Sequence, residues 1–154
     1  MREILLVRFG EVFLKGQNRP FFMKKLMDHI RQAVRPVNGR VWMSEGRFYV
    51  SDFTDMDECI RRVTRVFGVH SVSPAIEMDK DNFEAICEQA ARMMEPLSGT
   101  FKVLARRSDK RYPLDSPAIM REAGGYILDH VPQLTVDVNH PDHTMMIEIR
   151  DHAY

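Results

Sequence analysis

The order of strand-like and helix-like segments in the first half of the chain constrains its fold most strongly. Apolar or alternating runs predict strands at residues 3–8, 40–44, 47–53 and 71–76, and apolar residues spaced i, i+3, i+4 predict helices near 18–34 and 55–67. Pro74 lies in the last of these strands and indicates that this strand forms a sheet edge. The resulting order, βαββαβ, predicts an α+β fold of ferredoxin-like type.

The second half of the chain predicts a separate α/β unit. Asp81 with Glu84 three residues later has the pattern of a capping box and indicates a new helix after the last strand. The boundary is therefore predicted near residues 73–80, which divides the chain into domains 1–76 and 77–154. Three further elements are predicted after the helix that begins at Asp81. They are a strand at residues 100–105, a helix capped by Ser116, and a hairpin of residues 134–138 and 145–149.

Two adjacent glycines, Gly124 and Gly125, lie inside the helix predicted to begin at Ser116. Each glycine costs a helix on the order of 1 kcal/mol relative to alanine, so some other interaction must offset the loss. Close packing of the helix on the sheet is the explanation that we favour. Close approach of a ligand backbone is the alternative.

The residues that precede this helix form a basic segment that predicts contact with a polyanion. The sequence RRSDKRYP places Arg106, Arg107, Lys110 and Arg111 next to Tyr112. Such cations neutralise phosphates, an exposed aromatic ring stacks on an unpaired base, and the free N–H groups at a helix start attract anions. Two plainer interpretations stay open: the segment is a solvated charged turn, and the ring of Tyr112 is buried against the helix.

Net charge alone argues against a nucleic-acid-binding protein, because 22 basic residues balance 22 acidic ones. The charges are nevertheless segregated along the chain. Residues 15–47 carry eight basic and two acidic side chains, whereas residues 52–95 carry ten acidic and five basic ones. A neutral total of this kind is compatible with a positive surface that attracts a polyanion.

Several other classes of protein and site receive no support. No apolar run is long enough to cross a bilayer, and Cys59 and Cys87 fall in predicted helices, which indicates buried, reduced thiols in a cytoplasmic protein without membrane contact. His140 and His143 flank a turn without the spacing of metal ligands, so no metal site is predicted. Glu11 with Lys15 is interpreted as a loop salt bridge rather than a catalytic pair, and its place in the GEVFLKG motif leaves a positioning role open. No catalytic residue is assigned.

Two long segments carry a resemblance to a known family. The start, VRFGEVFLKGQNRPFF, resembles that of the tRNA 4-thiouridine synthases, which are tRNA sulfurtransferases also used in thiamine thiazole synthesis. The end, LTVDVNHPDHTMMIEIR, together with the basic segment and AGGYI, is similar to the THUMP domain of that family. The resemblance implies a ferredoxin-like domain followed by an α/β THUMP domain, which together bind the acceptor stem and the unpaired 3′ CCA end of tRNA.

The resemblance and the charge pattern together give the candidate RNA-binding residues. They are Lys15, Arg19, Lys24, Arg106, Arg107, Lys110, Arg111, Tyr112 and Arg121.

The resemblance also implies what lies outside this chain. In the family, ATP and Mg²⁺ act in a following adenylating domain with an SGGxDS loop, and a cysteine desulfurase donates the sulfur. The 154 residues contain no such loop, and neither cysteine matches a catalytic persulfide cysteine. We therefore expect an RNA-binding part that needs no cofactor and is inactive alone. A further THUMP strand is expected after Tyr154, so we expect an open sheet edge, fraying of residues 152–154, and self-association as a possible homodimer.

Two alternatives remain open at this level. A ferredoxin-like module that binds a small anion or a protein partner has the same fold. THUMP domains also occur in methyltransferases, deaminases and pseudouridine synthases. The extended basic segment favours RNA binding over the first alternative, and the GEVFLKG motif favours a sulfurtransferase over the second.

Overall fold

The computed structural model describes residues 1–10, 16 and 18–154, and these residues divide into two units. The first unit is Arg2–Ile76, and the second is Glu77–Tyr154 with Met1. Among the described residues, no helix is both long enough and apolar enough to cross a membrane.

The first unit has a single four-stranded sheet. Its elements are β1 (Arg2–Phe9), α1 (Arg19–Val34), a short 3-10 helix (Arg35–Val37), β2 (Arg40–Ser44), β3 (Arg47–Ser51), α2 (Met56–Thr64) and β4 (Val69–Glu77). The strand order is β2-β3-β1-β4, with β1 antiparallel to β3 and Leu5 opposite Val50. This is the order of a ferredoxin-like fold, so the predicted fold is confirmed, and β4 lies at an edge as Pro74 indicates.

The core of the first unit follows from the apolar periodicity of α1. Met23, Leu26, Ile30 and Val34 are buried, and they belong to the same apolar cluster as the inward-facing residues of β1 and β3. Phe22 is the exception, because its side chain is 42% exposed although the periodicity places it in the core. It occupies the first turn of α1, where the apolar stripe has begun but the described residues leave the ring accessible.

The second unit consists of α3 (Phe83–Met94), β5 (Gly99–Arg107), α4 (Ser116–His130), β6 (Leu134–Val136) and β7 (His143–Ile149). The strand order is β6-β5-β7, and both outer strands run parallel to β5. Residues of α3, α4 and these strands share one apolar core.

The predicted hairpin of residues 134–138 and 145–149 is wrong. Phe101 of β5 pairs with Val136 on one side and with His143 on the other, so β6 and β7 lie on opposite sides of β5. The segment between β6 and β7 is attached to the start of β5, where the Asp142 carboxylate accepts hydrogen bonds from the amide and the hydroxyl of Thr100 at 3.0 and 3.2 Å. Turn residues in sequence predict a change of direction, but they do not reveal that a third strand lies between the two segments.

Two predicted helix caps are displaced by one residue. The Asp115 carboxylate, and not the Ser116 hydroxyl, caps α4 by accepting a hydrogen bond from Ala118 N at 2.9 Å. Asn82, and not Asp81, caps α3 by accepting from Ala85 N at 3.1 Å. Asp, Asn and Ser all have suitable side-chain oxygens, so two adjacent candidates cannot be ranked from sequence alone.

The expected fraying of the last residues is also wrong. Glu148 N donates to Tyr154 O and Tyr154 N donates to Glu148 O, both at 2.9 Å, which covers the outer edge of β7. Ala153 exchanges a second pair of hydrogen bonds with Met78, also at 2.9 Å. These residues therefore occupy the edge at which an open strand was expected.

Candidate nucleic-acid interface

The basic loop, defined as residues 106–112, connects the end of β5 to the residues before α4. Arg106 is exposed near the end of strand β5, where its backbone pairs with Glu148 of β7. Ser108 N donates to Ile149 O at 2.8 Å, which extends the attachment of the loop to β7 by one residue. The loop is thus anchored to the sheet at its start.

Arg107 serves the loop itself. Its Nη1 donates to the carbonyl oxygens of Lys110 and Tyr112, both at 3.1 Å. These bonds hold the two ends of the turn together and use donors that would otherwise face a ligand. Arg107 is therefore placed to shape the loop, whereas the sequence grouped it with the other RNA-binding cations.

Asp109 is the centre of the polar contacts in the loop. One carboxylate oxygen accepts from Lys80 Nζ at 3.1 Å, and the other accepts from the amide and the Nε of Arg111 at 3.0 and 3.3 Å. The Arg111 amide and then the Lys80 ammonium lower the pKa of Asp109 to about 2. The carboxylate therefore stays ionised at acidic pH values at which an ordinary aspartate becomes protonated.

Tyr112 is buried in the core of the second unit, with 8% of its surface exposed. Its hydroxyl donates to Lys80 O at 2.7 Å, and burial raises the pKa of the phenol. Of the two roles that the sequence left open, burial is the one found here. A buried ring has no free face for a base, so this geometry opposes the predicted stacking role of Tyr112.

The cations that face solvent on the basic loop are Arg106, Lys110 and Arg111. The Arg111 side chain is 93% exposed even though its Nε contacts Asp109. Within the described part of the chain, the side chains of Arg106 and Lys110 make no hydrogen bond or ion pair. The start of α4 attracts an anionic ligand less than predicted, because the Asp115 carboxylate already binds there as an anion.

Arg121 lies on α4 beside an apolar groove of about 630 Å³ between α4 and strands β5 and β6. Lys102 is the other cation at this groove, and Gly124 and Gly125 form part of its wall. A Cβ added to Gly125 meets no atom within 4 Å, and one added to Gly124 meets only Val103 Cγ2 at 3.9 Å. Packing therefore requires neither glycine, and the explanation that we favoured from the sequence is wrong.

We expect Gly125→Ala to raise the free energy of unfolding by about 0.5–1 kcal/mol, because the methyl group has space and alanine loses less backbone entropy in a helix. Urea denaturation of the whole chain measures this change. Gly99→Ala is the control in the same unit, and it should destabilise the chain, because Gly99 has φ +103° and its added Cβ would meet the Asp142 carboxylate. Loss of stability in Gly125→Ala would show that the groove wall is packed after all.

The candidates in the first unit occupy the beginning of α1. Arg19 and Lys24 are exposed there, while Lys15 and Glu11 lie outside the described residues. Next to them lies an exposed aromatic pair that was not among the residues predicted from the sequence, Phe21 at 58% and Phe22 at 42% exposure. The ring of Phe21 lies 5.3 Å from Lys25 Nζ. Aromatic rings among cations are typical of single-stranded RNA sites. The sequence NRPFFMKK has this composition and could have indicated the pair.

Comparisons with known proteins agree with this organisation. The family model of the ThiI ferredoxin-like domain matches residues 4–73, and that of the THUMP domain matches residues 80–154. The chain is a ThiI ferredoxin-like domain followed by a THUMP domain. It is 42% identical to a probable tRNA sulfurtransferase of Acetivibrio thermocellus over 100% of this chain and 41% of that protein.

Solved structures give the same result. The PH1313 protein of Pyrococcus horikoshii Ot3 superposes with a TM-score of 0.86 at 34% identity, covering 99% of this chain and 52% of that one. A 4-thiouridine synthetase in an RNA complex with bound ATP superposes with a TM-score of 0.85 at 27% identity, covering 99% and 40%. The chain thus spans about two fifths of the length of the curated relative and of the synthetase.

The two cysteines, and the acidic and histidine residues that the structure describes, are candidates for a second site. Cys59 and Cys87 are free and buried, one in each domain, and burial raises the pKa of each thiol to about 11. Their burial confirms the interpretation as buried thiols, and the raised pKa keeps both thiols protonated well above neutral pH. Within the described ranges, no group of three or more His, Cys, Asp or Glu side chains is arranged to hold a metal ion.

Proposed function

We propose that this chain is the tRNA-binding half of a tRNA sulfurtransferase that makes 4-thiouridine. The observation that carries the proposal is the basic loop of the THUMP domain, where Arg106, Lys110 and Arg111 face solvent from a backbone held by Lys80 and Asp109. The names of the curated relatives and the RNA complex of a structural neighbour support the same assignment.

The loop suits a phosphate backbone because its cations are presented on an ordered backbone. Long flexible side chains lose rotamer entropy on binding, and a loop that is already closed by Arg107 avoids a further loss of backbone entropy. Phosphate contacts of this kind position an RNA but do not read its sequence. We assign recognition of unpaired 3′ CCA bases to exposed aromatic rings, and Phe21 and Phe22 replace Tyr112 as the candidates.

The chemistry of the parent enzyme is assigned to other parts of it. The 154 residues contain no SGGxDS loop, which is the element to which we assign ATP binding, and we derive no chemical step from them. In the full enzyme, a separate domain would bind ATP and Mg²⁺, and a cysteine desulfurase would supply sulfur. We further propose a cytoplasmic location, where tRNA is modified, and a shared role in thiamine thiazole synthesis. A homodimer stays a proposal for the assembled form, with a contact other than the outer edge of β7, because Tyr154 covers that edge.

Fluorescence anisotropy with a labelled tRNA transcript tests the proposal. The 154-residue chain should bind without ATP, its affinity should fall as salt rises, and a transcript lacking the unpaired 3′ nucleotides should bind more weakly. The chain should neither adenylate nor thiolate the RNA. Affinity that is equal for tRNA and for an unrelated polyanion of matched charge, or affinity for inorganic phosphate alone, would contradict the proposal.

A further inference from the structure

An acidic residue in the middle of a phosphate-binding loop needs an explanation. Asp109 lies between the exposed cations Arg106, Lys110 and Arg111, and its negative charge repels the phosphates that they would bind. Removal of this charge should improve binding if electrostatic attraction were the only factor. The carboxylate must therefore contribute in another way for the loop to work.

The contacts of Asp109 indicate that contribution. It joins Lys80, which lies 29 residues earlier in the chain, to the backbone amide of Arg111. Lys80 Nζ also donates to Arg150 O at 2.9 Å, and Lys80 O accepts from the Tyr112 hydroxyl at 2.7 Å. The segment before α3, the residue that follows β7 and the second half of the loop (residues 109–112) therefore meet around one ion pair.

We propose that Lys80 and Asp109 are positioning residues for RNA binding, and that their ion pair holds the backbone of Lys110 and Arg111 where these side chains meet RNA phosphates. The inference rests on the proposed function and goes beyond it, because neither residue contacts the RNA itself. The Lys80 ammonium is paired with the Asp109 carboxylate, so Lys80 supports the loop and is not one of its RNA-binding cations.

The sign of a charge-removing substitution separates positioning from simple electrostatics. Asp109→Asn and Asp81→Asn each remove one negative charge from the same domain. Asp81 is exposed, and within the described ranges its carboxylate makes no hydrogen bond or ion pair. We expect the Kd for tRNA to rise about threefold to tenfold in Asp109→Asn, and to stay equal or fall in Asp81→Asn. The slope of log K against log salt should also decrease in Asp109→Asn, because misplaced cations release fewer counterions.

Folding is checked by circular dichroism of each variant under the binding conditions. A role restricted to domain stability would leave the Kd and the salt slope of the folded protein unchanged, and that result would overturn the proposal. Should Asp109→Asn not fold, Tyr112→Phe decides instead: it removes the bond to Lys80 O without changing any charge, and we expect weaker binding by about threefold.

Two outcomes separate this inference from the proposed function. Asp109→Asn that binds as tightly as Asp81→Asn overturns the positioning role while the wild-type chain still binds tRNA. A folded wild-type chain without salt-dependent tRNA binding overturns the proposed function, and with it the inference.

Discussion

Replacing Tyr112 with alanine is expected to lower the free energy of unfolding of the THUMP domain by about 3–5 kcal/mol, as for other buried aromatic side chains. The ring belongs to the core formed by α3, α4 and the sheet, and its hydroxyl is bonded to Lys80 O. The substitution leaves a cavity and an unsatisfied carbonyl at the same place. Small domains are stable by only about 5–15 kcal/mol, so the loss is a large fraction of the total.

Thermal and urea unfolding measure the effect of Tyr112→Ala, with Tyr112→Phe as the matched control. The phenylalanine variant keeps the ring and loses one hydrogen bond, so it should be destabilised by only about 1 kcal/mol. Binding at a temperature where both variants are folded then tests the stacking role. A Tyr112→Ala variant that melts like the wild type but no longer distinguishes tRNA with and without its 3′ end would restore Tyr112 to the RNA site.

The ferredoxin-like domain could be predicted from sequence because its pattern is mostly local. The apolar spacing of α1 and the alternation of β2 and β3 are set by which face each residue presents to the core. Pro74 marked the edge strand since proline lacks the amide that a central strand requires. The exposure of Phe22 could not be predicted in this way, because periodicity shows which face of a helix is apolar but not how far the core extends along it.

The THUMP sheet could not be predicted in the same way. Its outer strands are both parallel to β5, and the pairing of His143 with Phe101 is a contact between distant segments. The sequence of residues 134–149 carries alternation and turn residues, which fit a hairpin as well as they fit a strand that crosses to the other side of β5. The choice between a hairpin and a crossing strand depends on whether β5 lies between the two segments, and no local sequence pattern shows this.

The basic loop shows the same division between composition and geometry. The sequence shows its cations as one segment, yet it does not distinguish Arg107, which bonds to its own loop, from Arg106, which faces solvent. The difference depends on where the backbone carbonyls of Lys110 and Tyr112 point. The burial of Tyr112 similarly depends on distant segments, because its ring packs in the apolar core and its hydroxyl bonds to Lys80 O, 32 residues away in the chain.

The second large effect is expected from removal of the three exposed cations of the loop together. In the variant Arg106→Ala, Lys110→Ala, Arg111→Ala, the slope of log K against log salt for tRNA should decrease by about 0.7 per lost phosphate contact, or about 2 in total. The gain in affinity between about 200 and about 50 mM salt should then be about 20-fold smaller than for the wild type. Preference for the unpaired 3′ end should persist, because phosphate contacts carry no sequence information.

A matched variant tests whether the loss belongs to the loop or to total charge. Arg35, Arg40 and Arg65 are exposed in the ThiI ferredoxin-like domain, and in the part of the chain that the structure describes their side chains make no hydrogen bond or ion pair. Their triple replacement by alanine removes the same charge from a different surface. It should weaken binding only through long-range attraction, which salt screens beyond about 8–10 Å. Equal loss of salt slope in the two triple variants would show that binding is non-specific attraction to positive charge, and that the basic loop is not the RNA site.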